Sequence, residues 1–109
     1  MCGIAALFAY HSDAPAVRSD ELLAINNAML RRGPDGGDHW VDNASRIGLA
    51  HRRLAIIDLS ADAAQPMVID ALDGAKARYH ITYNGEIYNF RALRSELESA
   101  GVNFTTQSD

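Results

Sequence analysis

The 109-residue chain contains one cysteine, so no internal disulfide can staple it. It has no surplus of basic residues: ten Lys and Arg against fourteen Asp and Glu leave a formal charge of −4, without the electrostatic footprint of a nucleic-acid binder. It has no apolar run near the roughly 20 residues that cross a bilayer, and its N-terminus lacks the basic start and long apolar core of a signal peptide. A reducing, cytoplasmic setting is therefore expected, with neither membrane nor nucleic acid as a partner. His11, His39, His51 and His80 show no metal-ligand spacing with one another or with the cysteine, so no metal site is expected. Gly33 to Gly37 lacks the Lys-Ser/Thr ending of a phosphate loop and follows a predicted helix instead of a strand, which argues against nucleotide binding within the chain.

What is present is the composition of an ordinary globular domain, 48% hydrophobic and 22% charged. Gly3 to Ala9 is mostly apolar and predicts a strand buried on both faces. Ser19, Asp20 and Glu21 start a helix whose apolar residues Leu22, Ile25 and Met29 recur at helical spacing. Arg31 and Arg32 complement its C-terminal dipole, Gly33 supplies a left-handed cap and Pro34 forbids continuation. Asp38 to Asp42 and Ile47 to His51 predict two strands joined by a turn, with Ile47 and Leu49 on one face. Leu54 to Leu59 continues as an apolar segment. A weak strand near Met67 to Ile69 leads into a turn at Asp73-Gly74. Tyr79, Ile81 and Tyr83 alternate as a strand with one buried face. A second helix begins near Asn89, carries Phe90, Leu93, Leu97 and Ala100 on one stripe and closes at Gly101. A last strand holds Val102 and Phe104. The order predicts an α+β fold and one incomplete domain over residues 1–109.

The cysteine stands at position 2, directly behind Met1. Removal of Met1 would put a thiol and a free α-amine on the same residue. Thiols ordinarily titrate near pH 8.5 and α-amines near about 8, so one residue could supply both nucleophile and base. Asn84-Gly85 lies between apolar runs and by itself signals a tight hairpin. Glu86 to Phe90 leaves little room for a returning strand, so a loop at a strand end is expected instead. There the Asn84 amide and the Gly85 N–H could converge as the donor pair an oxyanion needs. Arg52-Arg53 ends a strand among apolar segments, and one of the two could grip a carboxylate with its planar fork. Arg32-Gly-Pro-Asp35 reads as a turn, and Asp58, Glu86 and Asp109 read singly as surface acids.

Cys2-Gly-Ile, Arg32-Gly-Pro-Asp35, His51-Arg-Arg-Leu-Ala-Ile-Ile-Asp-Leu-Ser60, Ala64-Gln-Pro-Met67, Tyr83-Asn-Gly-Glu-Ile-Tyr-Asn89 and Ser108-Asp109 follow one another in this order. The set resembles the class II glutamine amidotransferase domain of glutamine-hydrolysing asparagine synthetases. The resemblance implies an N-terminal nucleophile hydrolase fold, a four-layer αββα sandwich of which this chain is the N-terminal portion. It implies Cys2 as nucleophile with its own α-amine as base, and Asn84 with the Gly85 N–H as oxyanion hole. Arg53 would hold the glutamine α-carboxylate in a pocket lined by Leu54, Ile56 and Ile57, with Arg52 as its solvated neighbour. Glu86 and Asp109 would receive the α-ammonium. The implied partners are glutamine, the rest of the amidotransferase domain and a C-terminal synthetase domain that uses ATP and magnesium. This segment would need no cofactor, and a homodimer is left open. Two alternatives remain: an amidotransferase that delivers ammonia to a sugar or antibiotic precursor, and a non-catalytic domain that keeps the fold. Retention of Cys2, Asn84 and Gly85 argues against the second.

Overall fold

The structure, a computed structural model, describes residues 1–71, 74, 76 and 79–109. Its elements in chain order are β1 (Gly3–Phe8), α1 (Ser19–Ala28), β2 (Gly36–Val41), β3 (Ile47–Arg53), a single 3-10 turn (Ala61–Ala63), β4 (Met67–Ile69), β5 (Tyr79–Ile81) and α2 (Phe90–Ser99). The five strands form two antiparallel sheets, β1-β3-β2 and β4-β5, so the expected α+β class holds among the described residues.

Strand β3 is central, pairing Gly3 with Arg52 on one side and Gly37 with the same Arg52 on the other. Side chains alternate across a strand, so Gly48, Ala50 and Arg52 point to one face and Leu49, His51 and Arg53 to the other. Helix α1 covers the first face. Leu22 and Val17 lie over Gly48, and with Ala9 and Ala50 they make the core, joined by Ala5 and Leu7 from β1. The opposite face meets the second sheet through Trp40, whose ring stacks on His80 with centroids 3.7 Å apart.

Strand β1 is covered on one side only. Ile4 and Phe8 remain 46% and 67% exposed, contrary to the two buried faces expected from its apolar composition. Exposure is also high on β5, at Tyr79 and Ile81, and on the α2 stripe, where Leu93 and Leu97 are 40% and 43% exposed. An apolar stripe records the wish for a partner and cannot say whether the partner lies within the same 109 residues. The radius of gyration, 15.4 Å, exceeds the ~13 Å expected of a compact domain this long, and the thinnest dimension is 19 Å. Among the described residues the layers are thin, with the one small core between α1 and the first sheet.

Several boundaries differ from expectation for local reasons. Helix α1 stops at Ala28, with Met29 as cap, so Arg31 and Arg32 lie beyond it and add nothing to its last turn. Gly33 is not a left-handed cap: only Gly74 and Gly101 among the described glycines have positive φ. Gly33 is needed for close approach, since a Cβ there would sit 2.4 Å from the Arg52 carbonyl carbon. Gly101, at φ 90°, closes α2 as expected. Val102 and Phe104 form no strand; the Val102 N–H instead returns to the Leu97 carbonyl at 3.0 Å. Of the turn expected at Asp73-Gly74, Asp73 lies outside the described residues, while Gly74 has φ 87°.

Leu22 is fully buried where α1 meets the central strand. Leu22→Ala is expected to lower stability by about 2–5 kcal/mol in urea denaturation, from lost transfer energy plus the residual cavity. The same change at the neighbouring, exposed Leu23 should cost far less.

Candidate active site

The alternation of β3 separates the tandem arginines. Arg52 turns toward α1, where its Nε donates to the Asn26 carbonyl at 3.1 Å and a terminal nitrogen donates to Asn27 Oδ1 at 3.0 Å. The Asn26 carbonyl also takes the N–H of the capping Met29 at 3.1 Å, so the guanidinium adds a second donor at the helix end. Arg52 is therefore a half-buried brace of α1 and not a solvated neighbour. Arg53 faces the other way. Its terminal nitrogens donate to the Ser60 carbonyl at 2.6 Å and to the Asp58 carbonyl, so the segment 54–60 folds around the guanidinium. Two of its five N–H donors are used in this way, leaving the rest for a ligand.

Cys2 immediately precedes β1, and its thiol reaches the residue just past the end of β3. The Leu54 N–H donates to Sγ at 3.3 Å, and the thiol donates to the Leu54 carbonyl at 3.7 Å. The Arg32-Gly-Pro-Asp35 stretch does more than turn the chain. Arg32 Nε donates to the Cys2 carbonyl at 3.4 Å, and Gly33 lets the backbone cross against Arg52 and Arg53. The Asp35 carboxylate accepts the Ala55 N–H at 2.9 Å, and its own N–H donates to the Arg53 carbonyl at 3.0 Å. This stretch fixes the strand end that carries both Arg53 and the thiol's partner.

Asn84-Gly85 forms a bend in the loop between β5 and α2, as expected from the cramped sequence that follows, and no hairpin forms there. Neither residue donates a hydrogen bond to any described residue, so the Asn84 amide and the Gly85 N–H are free. Tyr83 lays its phenol against Gly85, where an added Cβ would fall 2.4 Å from the hydroxyl oxygen. Glu86 is exposed and has no polar partner among the described residues. Asp109 accepts the Ile87 N–H at 2.7 Å and the Ser108 hydroxyl at 3.3 Å.

These segments surround one cavity of about 280 Å³. Cys2, Arg53, Leu54, Ile56, Ile57, Asn84, Gly85, Glu86 and Asp109 all line it, whereas Arg52 does not. The volume is near the lower end of the range for small-molecule sites, suited to a ligand of amino-acid size. Met1 also lines it and is largely exposed. Among the described residues no group of three or more His, Cys, Asp or Glu side chains is arranged to hold a metal ion.

Four other participants had no signal of their own in the sequence. Asp58 joins two loops, accepting the Ser60 N–H at 2.8 Å through one oxygen and the Gln107 N–H at 2.8 Å through the other. Hydrogen bonds from the Ser60 side chain first, then from the Gln107 and Ser60 backbone, hold its carboxyl down to about 2. Arg94 of α2 donates to the Thr106 carbonyl at 2.5 Å and stacks over Phe104, steadying the segment that brings Asp109 in. Gln65 lines the cavity and accepts the Tyr83 N–H at 2.5 Å. His51 is 1% exposed, and neither ring nitrogen has a hydrogen-bond partner among the described residues. A signal for Asp58, Gln65 and His51 would have been their place in motifs beside predicted site residues; Arg94 lies in none of them.

Burial pushes the His51 pKa down; the Tyr83 backbone opposes this in part, and the Arg53 charge adds to it. The folded state thus binds fewer protons than the unfolded chain, whose histidine titrates near about 6.5. The stability this confers is complete above that value and is lost as pH falls below it. The urea midpoint should accordingly drop as pH falls below about 6.5, and His51→Leu should flatten that part of the profile.

A family model described as a glutamine amidotransferase domain matches residues 1–109. The glutamine-hydrolyzing asparagine synthetase 1 of Bacillus subtilis (strain 168) is 37% identical over 110 residues, covering 100% of this chain and 16% of the relative. The glutamine-hydrolyzing asparagine synthetase B of Escherichia coli (strain K12) is 38% identical over 110 residues, covering 100% and 18%. The amidase chry2 of Gibberella zeae is 32% identical over 105 residues, covering 89% and 15%. The chain spans less than a fifth of the length of these relatives. No solved structure matches it.

Proposed function

The chain belongs to the glutamine amidotransferase domain family, and from that premise we propose that it hydrolyses glutamine to glutamate and delivers the ammonia to a synthetase region outside these residues. The observation that carries this reading is the single cavity lined by Cys2, Arg53, Asn84, Gly85, Glu86 and Asp109, drawn from segments far apart in the sequence.

In this reading the glutamine α-carboxylate binds the unused donors of Arg53, a planar fork suited to that group. Glu86 and Asp109 receive the α-ammonium, which needs negative partners when desolvated. Leu54, Ile56 and Ile57 line the space between, and the side-chain amide reaches Cys2. The thiolate attacks the amide carbon, and the oxyanion takes hydrogen bonds from the Asn84 side chain and the Gly85 N–H, both free to donate. Collapse of the tetrahedral adduct breaks the C–N bond, and a proton held by the Cys2 α-amine leaves with ammonia. The γ-glutamyl thioester is then cleaved by water to glutamate and the free thiol. The amine can act only after Met1 is removed, a step that also takes a side chain from the cavity wall.

The same reading gives the 109 residues as the N-terminal part of a class II amidotransferase domain of the N-terminal nucleophile hydrolase fold. The uncovered faces of β1, β5 and α2 support further layers there. ATP and magnesium belong to the synthetase region. The acceptor is aspartate, as the names of the synthetase relatives suggest. The amidase relative favours a second reading, in which the same chemistry serves another acceptor.

In the full-length protein, Cys2→Ala should abolish glutamate release from glutamine while synthesis from added ammonia persists; undiminished glutaminase activity would remove Cys2 as nucleophile. Arg53→Lys should raise KM for glutamine roughly tenfold or more with a smaller effect on kcat, since a point charge loses part of a charge-assisted pair. An unchanged KM would move the carboxylate site elsewhere.

A further inference from the structure

Between Ile81, where β5 ends, and Phe90, where α2 begins, the chain has no ladder to hold it, although this stretch carries the oxyanion donors of the reading above. Its polar anchors are few. Thr82 Oγ1 donates to the Ala50 carbonyl at 3.5 Å, at the edge of a hydrogen bond, and the Ile87 N–H donates to Asp109 at 2.7 Å. Between them, next to Asn84, the Tyr83 N–H donates to Gln65 Oε1 at 2.5 Å. This is the closest side-chain anchor to the Asn84-Gly85 bend, and it comes from a residue 18 positions earlier.

Gln65 is well placed for this. It follows the 3-10 turn Ala61–Ala63 and stands two residues before β4, which pairs with β5, so the register of the second sheet, with Met67 opposite Ile81, brings it level with Tyr83. It is half-buried and lines the glutamine cavity together with Tyr83, Asn84 and Gly85. Tyr83 is then held twice, its N–H by Gln65 and its phenol against Gly85. Any tilt of the Tyr83 peptide passes directly into the orientation of the next residues. Neither the binding of glutamine nor the attack on it, as proposed, uses the Gln65 side chain.

We propose that Gln65 is a positioning residue for the oxyanion hole: by accepting the Tyr83 N–H it fixes the direction in which Asn84 and Gly85 present their donors to the tetrahedral adduct. The inference rests on the assignment of Asn84 and Gly85 as that hole. A donor pair preorganised for the oxyanion acts on the transition state and leaves ground-state binding of glutamine nearly untouched, so the signature lies in kcat and not in KM.

The test uses glutaminase kinetics of the full-length protein. Gln65→Leu, which keeps the bulk and loses the acceptor, should lower kcat about tenfold while KM for glutamine changes less than about twofold, a partial loss beside the 10²–10³ of removing a donor outright. Gln65→Glu, which keeps an oxygen at the same reach, should retain several times more kcat than Gln65→Leu. Wild-type kcat in the Leu variant, an effect confined to KM, or equal impairment of Leu and Glu variants overturns the proposal. Should Gln65→Leu fail to fold by circular dichroism, Gln65→Asn, one methylene short of Tyr83, replaces it with the same two outcomes. Asn84→Ala separates the two claims. If it leaves kcat unchanged, the oxyanion assignment itself fails. If it lowers kcat while Gln65→Leu does not, that assignment stands and the Gln65 proposal falls.

Discussion

The register of β3 is the constraint from which the site follows. Side chains on a strand alternate strictly, so a slip of one residue would turn Arg53 into α1 and Arg52 into the cavity. Pairing of Arg52 with both Gly3 and Gly37 fixes that register from two sides. It also sets Leu54 beside Cys2, so that the sulfur lies between the Leu54 N–H and carbonyl. Burial on the α1 face pins the strand: Leu22 and Val17 fit only where Gly48 and Ala50 give them room. The Cys2 thiol and the Arg53 guanidinium therefore share one wall because of apolar packing on the other side of the sheet.

The remaining walls are loops, and loops need their own links. Arg53 gathers the carbonyls of Asp58 and Ser60. Asp58 passes the connection to Gln107, and Arg94 and Asp109 carry it on to Ile87. Gln65 closes the circuit at Tyr83. Most of these bonds involve a charged side chain and a backbone group, a class stronger than neutral pairs. Such bonds let irregular segments hold a defined cavity with few buried apolar residues.

Much of this was legible from the chain. The two helices, the β2–β3 pair and the β4 strand follow from hydrophobic period and turn chemistry, which are local. The Asn84-Gly85 loop was separable from a hairpin because the residues after it begin a helix. Coverage of apolar faces was not legible: Ile4, Phe8, Leu93 and Leu97 show the pattern of buried residues yet remain partly exposed. Gly33 departs from its expected cap role for a related reason. Its lack of a side chain serves a crossing against β3, and no local pattern announces a crossing.

The sequence alone determined the reactive groups: one thiol at position 2, an Asn-Gly pair, a pair of arginines at a strand end, and acids that gain meaning only together. These are properties of residue type and short spacing, which a chain carries before it folds. Which arginine faces the cavity, and that Asp58, Gln65 and Arg94 join the site, was decided by tertiary structure. From the strand pattern either arginine could have been the inward one, because a period of two gives alternation but not its phase. The phase is set by which face α1 buries, and that depends on contacts between residues far apart in the chain.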